Sequence, residues 1–543
     1  MNITTNTELL GHLTMFPSVF TVQILILSIA AIAYFITTSS NSKKTKGRTS
    51  GPQLPPGPQA WPIVGNLPHL LMNRPTARWM HRVMKELNTD IASFRFGNTY
   101  AIEITCDKIA REVMKEKDNI FADRPEAFSA SALTGGYLSA IFNPSGEQVK
   151  KVRRVMVQEL ISNERLDWLH ERRVMEADDL VAYVKNLRQK SPIVNVRDVV
   201  RSYCHGAPMR MIFGRKYFKE SSGDGGLGPI EKIHVSNIFT ALDYVYSFCI
   251  SDYVPWLRGW DLDGQEKIVK KACDIVGEYN QPIIDERIEF WRKKGLKKEI
   301  GDWLDILVTV KDTDGSWLLS PPELRAIVRE LFFAAVDNPA NNIEWTIAEM
   351  LNCPETFKKA AEELDRVVGR ERLVQESDIP SLNYIKSCSR EGYRLHPIVP
   401  NVVARRATRD TTLGGYFIPK GSTIHVSRMG LGRNPNVWEN PDEFRPERHM
   451  GGTECGPEVQ LTETDMRFVT FSTGRRGCIA SKLGTNMTIM LLARLLQAFT
   501  WNLPPGTEKI ELEMSPENNL MAKPLMAAAE LRLAPHLYPE PRE

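Results

Sequence analysis

The chain has 543 residues, a formal net charge of +3 and 25% charged residues. This length suits one large or two medium globular domains, and the small net charge excludes the strongly basic composition typical of nucleic-acid-binding proteins. Its 8 cysteines are scattered without a CxxC pair or a regular spacing, which argues against a disulfide framework and a zinc site and indicates a reducing compartment.

An uncharged apolar stretch, VFTVQILILSIAAIAYFIT, occupies residues 19–37 and is about long enough to span a bilayer as a helix. A cleaved signal peptide is the alternative, but the stretch is longer than a usual signal-peptide core and no lysine or arginine precedes it. Four basic residues follow between positions 43 and 48. The positive-inside rule therefore predicts residues 1–18 in the lumen, a single-pass anchor, and a cytosolic catalytic domain.

The segment that follows the anchor, residues 38–60, combines these basic residues with the proline-rich run LPPGPQA. Such a run predicts a stiff hinge before one large domain at residues 61–543. Beyond the hinge the pattern is mainly helical, with strand-like stretches at residues 91–105 and 412–427. The sequence therefore predicts a mainly α fold with a small β part.

One long helix is predicted from Ser320 to about Met350. Ser320 is a suitable N-cap, with Pro321 in the first turn and Glu323 completing a capping box. Apolar residues then recur at helical spacing for about 30 residues, which corresponds to a helix of roughly 45 Å. Its centre, AAVDNPANN, contains Pro339, which removes one backbone donor, leaves the preceding turn with a free carbonyl and predicts a kink.

The segment FSTGRRGCIA, residues 471–480, places Cys478 directly before another helix with apolar periodicity. Arg475 and Arg476 precede the cysteine, and a helix N-terminus adds free N–H groups and the positive end of the helix dipole. These features favour a thiolate over a thiol. A buried structural cysteine is the alternative, and the adjacent glycines and arginines argue against it.

Three segments together resemble the cytochrome P-450 superfamily. Residues 471–480 are similar to its haem-binding pattern FxxGxRxCxG, EGYR at 391–394 to its ExxR pattern, and FRPERH at 444–449 to its FxPERF pattern. The resemblance covers nearly the whole chain, from residue 54 to residue 525.

By this resemblance Glu391, Arg394 and Arg448 form one ion-pair network beneath the haem loop, which holds its charges better than an isolated pair. Two positions depart from the family patterns. Ala480 replaces a glycine, which we expect to leave haem binding intact, and His449 replaces a phenylalanine, which we interpret as a subfamily trait.

The resemblance implies the cytochrome P-450 fold, with haem b bound through Cys478 as the thiolate ligand of the iron. It further implies electrons from NADPH delivered by a membrane-bound NADPH-cytochrome reductase, and residence at the endoplasmic reticulum membrane. The other residues at haem-contacting positions are Phe471, Gly474 and four arginines that match propionate contacts, Arg124, Arg153, Arg405 and Arg476. In the WxxxR pattern that contains Arg153, the tryptophan is replaced by Val149.

In this superfamily the long helix lies over the distal face of the haem, and its centre usually reads AGxDT. Here Asp337 matches the acid and Asn338 replaces the threonine, so both are candidate catalytic residues and the hydroxyl that helps deliver protons to oxygen is absent. The resemblance places the amides of Asn338, Asn341 and Asn342 near the oxygen site, where they would hold a water molecule or a polar substrate group.

The pattern DNPxNxxEW resembles plant family 79, the amino-acid N-monooxygenases. Their reaction is two N-hydroxylations of an α-amino acid, followed by loss of water and carbon dioxide to give an aldoxime, a precursor of glucosinolates and other defence compounds. DNPANN and TLGGYFIPKGS are similar to members that act on chain-elongated methionine. By position, residues 128–136, 400–404 and 518–522 would face the substrate, whose side chain stays open.

Three alternatives remain at the level of the sequence. One is a haem-thiolate monooxygenase for a different small molecule. Another is a haem-thiolate isomerase or dehydratase, which would need neither the threonine nor a reductase. The third is a haem-binding sensor without turnover. The anchor and the extent of the resemblance favour the amino-acid N-monooxygenase.

Overall fold

The structure is a computed structural model that describes residues 53–217, 223–294, 299–451, 458–462 and 466–540. The predicted anchor at 19–37 and most of the linker lie outside the described residues. Within those ranges, no helix combines the length and the apolar character needed to cross a membrane.

Helices make up most of the fold, and three of them continue into short π-helical segments at Glu112–Glu116, Met156–Leu160 and Glu289–Lys293. The α-helices are α1 (Leu67–Met72), α2 (Thr76–Glu86), α3 (Asp107–Arg111), α4 (Asp118–Phe121), α5 (Phe128–Leu133), α6 (Glu147–Val155), α7 (Asn163–Trp168), α8 (His170–Lys190), α9 (Val196–Phe213), α10 (Pro229–Val245), α11 (Ile250–Tyr253), α12 (Gln265–Ile288), α13 (Trp303–Thr309), α14 (Pro321–Asn352), α15 (Pro354–Val367), α16 (Asn383–Leu395), α17 (Arg428–Gly432) and α18 (Ser481–Ala498).

The β part consists of three small sheets. The strands are β1 (Ile91–Phe96), β2 (Thr99–Ile104), β3 (Ile193–Asn195), β4 (Arg405–Arg406), β5 (Thr411–Leu413), β6 (Tyr416–Ile418), β7 (Thr423–Val426), β8 (Phe499–Asn502) and β9 (Met526–Leu531). The sheet orders are β1-β2-β7-β4, β3-β9-β8 and β5-β6, with only the β2–β7 pairing parallel among these strands. The predicted strand stretches correspond to the β1–β2 hairpin and to β5, β6 and β7, so a mainly α fold with a small β part is confirmed.

Helix α14 is the long helix predicted from the sequence. It begins after Ser320, whose backbone N–H donates to Glu323 at 2.8 Å as expected of a capping box. The helix has 32 residues, which correspond to about 48 Å, and it remains helical through Pro339. Most of its C-terminal half is buried, and it packs against α9, α12, α16 and α18. It therefore crosses the core and can present side chains to a central cavity.

Candidate active site

The loop before α18 adopts a conformation that requires glycine at Gly474. Its φ is +72°, and a β-carbon there would lie 2.6 Å from both Oδ1 of Asp118 and the carbonyl oxygen of Met114. The backbone N–H of Cys478 donates to the carbonyl of Phe471 at 2.8 Å, which closes the loop just before the helix. The side chain of Cys478 is exposed, and it faces a cavity beneath α14.

This cavity lies between the cysteine loop and the central part of α14. Its walls are mostly apolar and include Ile141, Leu242, Phe333, Val402, Leu483 and Met487. Phe471 also lines it, and its ring lies so close to Gly484 that a β-carbon on the glycine would sit 3.1 Å away. The cavity therefore combines a thiol on one wall with a mostly apolar lining.

Three arginines that form no ion pair with a described residue line the same cavity: Arg124, Arg153 and Arg476. Their hydrogen bonds go to backbone carbonyls, apart from one from Arg476 to a serine hydroxyl. Within the described part of the chain, none of the three forms an ion pair.

Burial outweighs the nearby opposite charges at these arginines, so the pKa of each lies below its ordinary value. Burial, followed by repulsion from Arg476, holds the pKa of Arg124 well below its usual value. Burial and the nearby Arg153 lower the pKa of Arg476 to about 10. Buried cations of this kind need an anionic partner. Two propionate carboxylates beside a thiolate-ligated iron satisfy this requirement, so the residues present fit haem.

Arg405, predicted to contact a propionate, lies behind the cysteine loop and does not line the cavity. It donates to the Asp118 carboxylate at 2.7 Å and to the carbonyl of Thr473 at 3.0 Å. Asp118 also accepts the backbone N–H of Arg475 at 3.0 Å. Asp118, which the sequence interpretation missed, therefore ties α4, β4 and the cysteine loop together.

Arg428 is a second residue that the sequence interpretation missed. It begins α17, lines the cavity and donates to the carbonyl of Thr470 at 3.1 Å. Glu330 on α14 also lines the cavity, and its carboxylate accepts the backbone N–H groups of Ala140 and Ile141, both at 2.9 Å. This carboxylate fixes the loop after α5 over the cavity. No local sequence pattern identifies either residue.

The predicted network of Glu391, Arg394 and Arg448 is confirmed. Arg394 binds the Glu391 carboxylate in a bidentate manner at 2.8 and 2.7 Å, and Arg448 donates to it at 2.9 Å. His449, at the position where the family has phenylalanine, adds a contact at 2.8 Å. Burial raises the pKa of Glu391, but hydrogen bonds from Arg394 and His449 outweigh this effect and lower the pKa to about 2.

The two candidate catalytic residues of α14 point in different directions. Asn338 lines the cavity, whereas Asp337 is buried on another face of the helix and accepts a hydrogen bond from Asn341. Burial and the neighbouring Asp243 raise the pKa of Asp337 to about 7.

The prediction that three asparagine amides lie near the oxygen site was wrong for two of them. The amide of Asn341 is used by Asp337. Asn342 donates to the carbonyl of Ser389 at 3.0 Å and accepts from its hydroxyl at 2.8 Å, because the α14–α16 crossing lies there. Only Asn338 lines the cavity among these three asparagines.

Two of the three predicted substrate-facing segments reach a cavity. The cavity of Cys478 is lined by Leu133 and Thr134 of the first segment and by Val402 and Val403 of the second. Residues 518–522 do not line this cavity. A neighbouring cavity of about 320 Å³ shares Arg124, Phe142, Tyr246, Val402 and Val403 with it. Tyr246, the residue that follows α10, was not predicted to take part.

Comparison with known proteins agrees with this geometry. A family model described as Cytochrome P450 matches residues 55–528. Tyrosine N-monooxygenase of Sorghum bicolor is 51% identical over 492 residues, which cover 90% of this chain and 88% of the relative. Valine N-monooxygenase 1 of Manihot esculenta is 48% identical over 99% of both chains, and dihomomethionine N-hydroxylase of Arabidopsis thaliana is 51% identical over 95% of this chain and 96% of its own. The chain therefore belongs to the cytochrome P450 family and, within it, to plant family 79.

Proposed function

We propose that this chain hydroxylates the α-nitrogen of an L-amino acid twice, using O2 and electrons from NADPH, and releases the corresponding aldoxime. The observation that carries the proposal is one cavity whose walls carry the thiol of Cys478, the amide of Asn338 and three arginines that form no ion pair with a described residue. Relatives about half identical over nearly the whole chain are named for N-hydroxylation of tyrosine, valine and dihomomethionine. Because these side chains differ greatly, the one that this chain accepts is left open.

In this proposal haem b is held by the residues that the cavity brings together. Cys478 would ligate the iron, Arg124, Arg153 and Arg476 would meet the propionates, and Phe471 and Gly474 would shape the loop. Arg405 would act through Asp118 by fixing that loop. The haem supplies the redox chemistry that activates O2, with electrons passed from NADPH by a reductase.

The reaction balances with the proposed components. In each hydroxylation, one atom of O2 enters an N–H bond, and two electrons and two protons convert the other atom to water. The dihydroxylated nitrogen then loses water as the carboxylate leaves as carbon dioxide, which gives the C=N bond of the aldoxime. The apolar walls exclude bulk water during these steps. Asn338 would contact the substrate, and Asp337 behind it can hold a proton near neutral pH, since its pKa is about 7.

We also propose that the enzyme is anchored in the endoplasmic reticulum membrane by residues 19–37, with the domain in the cytosol. Large apolar side chains near the N-terminal end of the domain support this orientation. Ile63 and Met72 are 70% and 66% exposed, and Trp256 and Trp260 are 78% and 73% exposed. The two groups belong to adjoining segments, because Arg74 after α1 donates to the carbonyl of Asp263 at 3.1 Å. Such a surface is typical of a membrane contact.

The test is turnover in microsomes that contain the full-length chain, a plant NADPH-cytochrome reductase and NADPH. A panel of valine, phenylalanine, tyrosine, tryptophan and chain-elongated methionines is offered, and aldoximes are measured by mass spectrometry. We expect at least one amino acid to give its aldoxime only when NADPH is present. Cys478→Ser should abolish both the thiolate-type carbon-monoxide spectrum and the product. Absence of any aldoxime from a wild-type protein with that spectrum would reject the proposed function.

A further inference from the structure

Asn338 differs from the other two asparagines of its helix in having an unused amide. Asn341 bonds Asp337, and Asn342 exchanges two hydrogen bonds with Ser389. Asn338 lines the cavity, and its carboxamide makes no hydrogen bond with any described residue. It therefore offers one acceptor and two donors to whatever occupies the cavity.

The backbone next to Asn338 offers a second polar group. In an α-helix the carbonyl of Ala335 would accept the N–H of residue 339, but Pro339 has no N–H. Ala335 and Pro339 both line the cavity, so the missing hydrogen bond lies on the cavity side of α14. Backbone carbonyls in such interiors are normally paired, which makes this one a ready acceptor for a ligand. The helix-interior prolines Pro208 and Pro282 do not line this cavity.

We infer that these two groups form the binding site for the head group of an α-amino acid. The carbonyl of Ala335 accepts an N–H of the substrate's α-amino group, and the carboxamide of Asn338 donates to its α-carboxylate. The inference rests on the proposed function and deepens it by assigning the head-group contacts. The two residues are three positions apart, which is about 4.5 Å along the helix axis, so one α-amino acid can bridge them.

The chemistry of the two contacts suits an N-hydroxylation. A single N–H···O=C bond orients the nitrogen but leaves its other bonds and, once deprotonated, its lone pair unengaged. The carboxamide is neutral, so the site adds no net charge and favours a zwitterion over a free acid or a free amine. Arg124, a cation on the same cavity wall, already donates to three backbone carbonyls.

The test measures binding to the haem-loaded, full-length protein by calorimetry with three probes. These are L-phenylalanine, 3-phenylpropanoate, which lacks the amino group, and L-phenylalaninol, which lacks the carboxylate; the valine series replaces them if valine binds more tightly. Pro339→Ala restores the N–H that Ala335 needs. Asn338→Leu removes the amide at similar volume. Pro282→Ala is the matched control, because it makes the same change in an exposed helix interior.

We expect Pro339→Ala to bind the amino acid about tenfold more weakly, as for one lost hydrogen bond. Its affinity for 3-phenylpropanoate should be unchanged. Asn338→Leu should weaken binding of the amino acid by about tenfold and leave the affinity for L-phenylalaninol unchanged. Pro339→Ala should also raise the melting temperature, which shows that the loss is not caused by misfolding.

The inference is overturned if both variants weaken all three probes equally, or if neither changes the discrimination between them. It is also overturned if Pro282→Ala alters discrimination as strongly as Pro339→Ala. The proposed function fails in a different way, by the absence of aldoxime from the wild-type protein. The two failures are therefore distinguishable.

Discussion

Asp337 is a carboxyl group whose surroundings favour the protonated form. It is buried in α14, and burial and then Asp243 raise its pKa to about 7. An aspartate in the unfolded chain loses its proton near pH 4. Between these values the folded protein binds the extra proton, so its stability decreases as the pH rises from about 4 to 7.

Replacing Asp337 by asparagine should remove this dependence. Asp337→Asn keeps the size of the side chain and cannot ionise, so we expect the variant to be more stable than wild type above pH 7, by up to about 4 kcal/mol, and similar below about pH 4. Thermal unfolding measured from about pH 4 to pH 8 checks this. A parallel pH profile for the two proteins would contradict the assigned protonation of Asp337.

At the residue scale, local motifs were predicted better than side-chain directions. Cys478 and Glu391 could be placed because each belongs to a short pattern with its own backbone geometry. The side-chain directions of Asn341 and Asn342 could not be predicted, because the neighbour that each contacts depends on which helix crosses α14 at that point. Asp118 is distant in sequence from the loop that it supports, so no local pattern identified it.

At the element scale, α16 is tied to the segment around residues 432–449 by an ion-pair network built on the buried pair of Glu391 and Arg394. Arg394 donates to the carbonyls of Pro441 and Glu443 as well as to Glu391. Arg448 and His449 belong to a 3₁₀ turn, and both bind the same carboxylate. Both ends of the network are therefore required to hold this segment against the helix.

Replacing members of this network should have graded effects. Arg448→Ala removes a charged hydrogen bond to Glu391, which keeps its bidentate partner Arg394, so we expect a loss of roughly 1.5–3 kcal/mol in the free energy of unfolding. His449→Phe keeps the ring and restores the family residue but removes one hydrogen bond, at a cost of about 1 kcal/mol. Chemical denaturation of the two variants provides the comparison. Equal losses would show that packing, and not the charge on Glu391, dominates here.

At the scale of the whole molecule, the fold class and the long central helix were predictable because both follow from hydrophobic periodicity and capping. The pairing order of the sheets and the share of α10 in the cavity depend on contacts between distant segments, which periodicity does not encode. The exposure of the tryptophans at residues 256 and 260 also depends on such contacts and was not predictable. They mark one side of the molecule only after the chain has folded.

This side of the molecule should contact lipid in the full-length protein. In nanodiscs that contain brominated lipids, we expect part of the tryptophan fluorescence to be quenched, because bromine quenches only at short range. Trp256→Phe with Trp260→Phe should lose most of that quenching. Trp317→Phe is the control, since Trp317 is 40% exposed elsewhere on the fold. Quenching that is unchanged in the double variant would place the membrane contact on another face.

Isotope labels followed through one turnover test whether this chain N-hydroxylates an amino acid. An L-amino acid labelled with ¹⁵N at the amino group is supplied with ¹⁸O2, reductase and NADPH, and the product is analysed by mass spectrometry. We expect an aldoxime that carries both ¹⁵N and ¹⁸O and forms only with NADPH. A product without ¹⁸O, or one that forms without NADPH and reductase, would contradict it and favour a haem-thiolate isomerase or dehydratase.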